Sequence, residues 1–77
     1  MTAILTTDPA SRTAASWSAT QASLKSRQVP DHDPRMVAAH EGLAFHRVLR
    51  AVEAESGQLS PAGVDRLCAA LRQAVAR

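Results

Sequence analysis

The sequence predicts an all-α protein, and three observations carry that reading. A capping side chain stands directly before a proline three times, at Asp8-Pro9, Asp33-Pro34 and Ser60-Pro61. Such a side chain accepts from the unpaired N–H groups of a first helical turn, and proline at the first position loses no hydrogen bond there. The three markers lie 25 and 27 residues apart, a spacing that fits successive helices. After the second and third, apolar residues recur at the three- and four-residue intervals of a helix face. The expected architecture is an antiparallel helical hairpin over about 34–56 and 61–76, preceded by a marginal N-terminal helix or disordered tail over about 9–26. Residues 1–32 thus read as a Ser/Thr/Ala-rich segment and 33–77 as the hairpin.

In the first segment Ala10, Ala14, Trp17, Gln21 and Leu24 line up in a heptad-like row, which favours a helix. Ten of the first 30 residues are Ser or Thr. Their hydroxyls compete for backbone hydrogen bonds and lower helix propensity. The segment is therefore expected to order only when Trp17 and Leu24 dock. Val29-Pro30-Asp31-His32 reads as the linker that follows.

The second segment carries a broad apolar face of Val37, Ala38, Ala44, Phe45, Val48, Leu49, Ala51 and Val52. Met36 and Leu43 fall on the opposite side. A helix apolar on two sides has two neighbours. Gly42 costs roughly 1 kcal/mol against alanine inside a helix, so it marks a close helix approach. Gly57 is a candidate for the residue that ends the helix. Glu41 projects near the middle of the apolar face, where it is either an edge carboxylate or a polar contact that fixes register or partner.

The third segment has the cleanest pattern. Val64, Leu67, Cys68, Leu71 and Val75 form one stripe, with Asp65, Arg66, Arg72 and Gln73 outside it. Leu59 and Val64 occupy the positions of a hydrophobic staple, and Asp65 complements the positive end of the helix dipole. The short link Gly57-Gln58-Leu59 joins antiparallel neighbours.

Composition limits what this architecture can do. The chain has 77 residues, and 16 of its apolar residues are alanine, so few side chains are large enough to fill a core. Below about 70–80 residues one core rarely supplies more than ~3–5 kcal/mol. With a single cysteine, Cys68, there is no internal disulfide, and no zinc-type spacing occurs. Association, with itself as a homo-oligomer or with a larger protein, is the remaining way to cover the apolar faces. Residues 31–77 hold six arginines and six acids, so the hairpin is electrically neutral. Arginine outnumbers lysine eight to one and alanine is abundant, as expected of a GC-rich bacterial genome. No apolar run is long enough to span a bilayer, and Met1–Leu5 lacks the pattern of a secretory signal. With a free cysteine as well, the expected location is the cytoplasm.

Catalytic and cofactor motifs are missing, so no catalytic, cofactor or metal residue is assigned. Asp31-His32-Asp33 reads as a linker with Asp33 as the helix cap. His40 and His46 are six apart and fall on different sides of a helix. His46 belongs to a solvated face or to a polar contact across an interface. Cys68 sits inside the apolar stripe and reads as buried filler, not as a reactive thiol.

The expected function is that of a non-catalytic helical interaction module, an accessory subunit, regulator or assembly factor. Its expected anchors are Trp17, Leu24, Phe45, Leu49, Val52, Leu67 and Leu71, with Glu41 as the polar determinant. A second reading rests on residues Ala51 to Ser60, which resemble the helix-turn part of helix-turn-helix DNA-binding proteins, including the turn glycine Gly57. That resemblance implies a small DNA-binding regulator; apart from it, Arg12, Lys25 and Arg27 are the cations of the first segment that could touch phosphates. The second helix is longer than the motif's, and Ser60-Pro61-Ala62-Gly63 offers few groups that read base edges.

Overall fold

The computed structural model describes residues 8–76 and is all-helical, with no strand among them. The opening Met1–Leu5 stretch lies outside the described residues. A 3₁₀ turn at Pro9–Ser11 leads into α1 (Ala14–Ser26), α2 (Pro34–Ala54) and α3 (Pro61–Ala76).

The single helix expected over 9–26 is in fact two pieces. Asp8 caps as its proline signal implies, its carboxylate accepting from the Ala10 N–H at 2.9 Å. The turn stops after Ser11 because Arg12 is extended, with φ −134° and ψ 156°. Thr13 then starts α1 afresh, its hydroxyl accepting from the Ser16 N–H at 3.1 Å. The break leaves the Pro9 carbonyl free to accept from the Trp17 indole N–H at 2.9 Å. In an uninterrupted helix that carbonyl would have bonded the amide four residues on. A Ser/Thr-rich sequence offers the backbone these local alternatives.

α1 ends in a Schellman arrangement. The Val29 N–H reaches back to the Leu24 carbonyl at 3.0 Å and the Gln28 N–H to the Lys25 carbonyl at 2.9 Å. Gln28 adopts the left-handed φ of 60° that this closure needs and that glycine meets more cheaply. The turn brings α2 back along α1. Asp33 caps α2, accepting from the Arg35 N–H at 2.9 Å.

The core lies on the seam between α1 and α2. Trp17 and Leu24 from α1 are 2% and 3% exposed, and Met36 and Ala39 from α2 are fully buried against them. The indole lies flat on Gly42, and a methyl group there would overlap ring atoms Cδ2, Cε2 and Nε1. Gly42 is therefore the close-approach site that its position implied. The N-terminal segment, expected to be marginal or disordered, supplies half of this core. Its docking through Trp17 and Leu24 is the condition under which it was expected to order.

The covered side of α2 is also a correction. The broad face of Val37, Ala38, Ala44, Phe45, Val48, Leu49, Ala51 and Val52 contains no buried residue. The side that α1 covers is the one bearing Met36. It wins because it offers small residues, Ala39 and Gly42, beside which a tryptophan fits.

α3 has the bounds its sequence predicts, with the Ser60 hydroxyl accepting from the Gly63 N–H at 3.0 Å. Gly57 supplies the turn with φ 85°. Yet α3 makes no close backbone approach to α1 or α2. α2 and α3 are not packed together as the expected hairpin would have them, and the radius of gyration is 14.9 Å, against about 11–12 Å for a compact chain of this length.

Candidate functional site

α3 presents its whole stripe to solvent. Val64, Leu67, Leu71 and Val75 are 42%, 47%, 49% and 86% exposed, and no residue of the helix is buried. Cys68, read as buried filler, is half-buried for the same reason. Isolated exposed apolar residues are ordinary, but a row of four on one helix face is a patch. On α2, Val37, Val48 and Val52 are exposed along the side opposite α1. The two surfaces meet at an open cleft of about 230 Å³ lined by Val48, Ala51, Val52, Glu55, Leu59 and Leu67. Through this cleft Leu59 and Leu67 lean toward α2, while Val64, Leu71 and Val75 do not line it.

The expected anchors divide into three groups. Trp17 and Leu24 are interior and hold the chain's own core. Phe45 and Leu49 are half-buried, with the Phe45 ring edge-on to His46 at 5.0 Å between centroids. Val52, Leu67, Leu71 and Glu41 are exposed. Glu41 forms no ion pair among the described residues, where the ion pair present is Arg35 with Asp33.

Two polar features escape sequence reasoning because they join distant residues. His46 Nε2 lies 2.8 Å from the Arg12 carbonyl oxygen. A carbonyl only accepts, so that nitrogen carries the proton, and the contact ties α2 to the start of α1. The Arg12 guanidinium lies over the Trp17 ring, 4.4 Å from its centroid, and donates to the Ser16 hydroxyl at 2.8 Å, the Ser16 carbonyl at 3.0 Å and the Thr20 hydroxyl. Arg12 thus closes one side of the core. No spacing rule announces either contact, and the sequence leaves His46 between a solvated face and a polar contact across an interface.

The remaining charges are ordinary surface chemistry with one exception. Asp33 is held down to about 2, first by the side-chain hydrogen bond from Arg35 and then by the Arg35 backbone N–H. Arg35 is raised in return by the same carboxylate. Asp33 is therefore the cap that its sequence position implies, and it is also the ion-pair partner of Arg35. Among the described residues no three His, Cys, Asp or Glu side chains come together as a metal site would need. No described helix is long and apolar enough to cross a membrane. Arg12 and Arg27 flank a shallow groove of about 290 Å³ with Ser16, Thr20 and Ser23 between them. Their hydrogen bonds go to neutral oxygens.

No protein-family model, curated protein or solved structure matches the chain.

Proposed function

We propose that this protein is a non-catalytic helical interaction module, in which the α1–α2 unit is the scaffold and the open faces of α2 and α3 are the binding surface. The observation that carries the reading is the stripe of α3, with Val64, Leu67, Leu71 and Val75 exposed on a helix that no other described element covers. Burying such a stripe is worth about 25 cal/mol per Å² of apolar surface, which favours any partner able to lie along it. Val52, Leu67 and Leu71 are its anchors, and Glu41, exposed on α2, is a charge that penalises a wrong partner.

The test separates a binding face from an internal one. Leu71→Glu is expected to leave the folding of α1–α2 unchanged by circular dichroism while abolishing association. Amide exchange of the dilute chain is expected to show fast α3 amides beside slow ones at Leu24 and Ala39. A compact monomer with protected α3, or a fold lost in Leu71→Glu, overturns the reading.

The DNA-binding reading draws on Arg12, Lys25 and Arg27, of which Arg12 and Arg27 line a groove along α1. Duplex DNA at low salt should then shift in a gel, because non-specific phosphate binding appears first. Absence of a shift removes it.

A further inference from the structure

Resting on that interaction reading, we infer that the occupant of the α3 face is a second copy of this chain, its α3 lying antiparallel about a two-fold axis beside Cys68. The helix reads as a short coiled-coil segment. Cys68 and Val75 take heptad position a, Val64 and Leu71 take d, Asp65 and Arg72 take e, Leu67 and Ala74 take g, and Arg66 and Gln73 face outward at f. In an antiparallel pair each a layer meets a d layer. Setting Val64 against Val75 of the second copy, and Cys68 against its Leu71, fills four consecutive apolar layers.

The charges select the direction. Asp65 and Arg72 are exposed on the same flank and lie two turns apart, about 10 Å. That separation is too long for a bond within one helix, and neither has an ion-pair partner among the described residues. In an antiparallel pair each flank faces its own counterpart, so Asp65 meets Arg72 of the second copy, and the symmetry makes the contact twice. In a parallel pair the same flank would face Leu67 and Ala74, leaving both charges against apolar side chains. The cleft explains why Leu67 does not compete, since it turns toward Val48 and Ala51 of its own chain.

The experiment is light scattering after size exclusion on the full chain, over a concentration series, with charge reversals that touch only exposed positions. The wild type is expected at the mass of two chains. Asp65→Arg and Arg72→Asp each set like charges together and should weaken the pair on the order of tenfold or more. The double variant Asp65→Arg/Arg72→Asp should restore it, as should mixing the two single variants. Neither position lies in the first or last turn of α3, so recovery by the double swap has no explanation in the helix dipole. A dimer indifferent to the single reversals, a double swap that fails to recover, or a mass above two chains overturns the pairing. A wild-type monomer whose α3 amides exchange freely also overturns it, but leaves the face open to a different protein. A wild-type monomer with protected α3 amides overturns the interaction reading itself.

Discussion

α1 and α3 flank the same central helix and meet opposite fates. α1 is short, polar and rich in Ser and Thr, yet it inserts Trp17 and Leu24 into the only buried apolar cluster among the described residues. α3 carries the better apolar stripe and buries nothing. The difference lies in shape. Trp17 meets a flat floor, Gly42, with Ala39 beside it, and its indole N–H finds the Pro9 carbonyl. α3 offers medium-sized aliphatic side chains to a face of α2 that has no such recess. A single large side chain with a matching hollow and a satisfied polar tip outweighs a longer row without one.

The sharpest way to break this comparison is to truncate the anchor. Trp17→Ala should cost about 3–5 kcal/mol and unfold α1 from α2, whereas Leu71→Ala in the dilute monomer should cost well under ~1 kcal/mol, because half its side chain is already solvated. Denaturant unfolding followed by circular dichroism measures both, and equal costs would make α3 part of the core.

Gly42→Ala asks whether the hollow matters as much as the tryptophan. Helix propensity alone would gain about 1 kcal/mol, but the added methyl overlaps the indole. The expected outcome is a net loss of about 1–3 kcal/mol. A more stable variant would show that the ring can slide.

His46→Ala removes the tie between α2 and the Arg12 carbonyl, at an expected cost of about 1 kcal/mol, and should speed amide exchange near Thr13 more than in α3. Gln28→Gly goes the other way. It relieves a left-handed φ of 60° and should stabilise the α1–α2 turn by about 1 kcal/mol.

The smallest effect is in pH. The Asp33 carboxyl is depressed to about 2 in the folded chain against its ordinary 3.8. A depressed acid contributes stability that is complete above its unfolded value and is lost as the pH falls through the folded one. Acid titration should therefore destabilise α2 between about pH 4 and pH 2, and Asp33→Asn should flatten that stretch of the curve without touching the rest.

The sequence spoke clearly about helix starts and much less about neighbours. Ser60-Pro61 and Asp33-Pro34 placed α3 and α2 because capping is a contact within a few residues. The same signal at Asp8-Pro9 opened a turn, but Arg12 went extended, and Thr13, one more cap in a Ser/Thr-rich run, restarted the helix. Gly42 was legible as a close approach, while its occupant, Trp17, was expected to dock without a stated target. The stripe of Val64, Leu67 and Leu71 was legible as a face, and nothing local says whether a face is filled from within the chain. The Arg12 guanidinium over Trp17 and the His46 contact were invisible, since each joins residues brought together only by the docking of α1.

The placement of Trp17 has a practical consequence for optical work on this protein. The chain has one tryptophan and no tyrosine, so its intrinsic fluorescence comes from a single dry ring at the α1–α2 joint. Emission should be blue-shifted in the native state and move to the red when that joint opens. α3 contributes nothing to the signal but a large share of the far-ultraviolet ellipticity. Fluorescence therefore follows the α1–α2 joint while ellipticity follows all three helices, and a gap between the two melting curves reads how independently α3 unwinds.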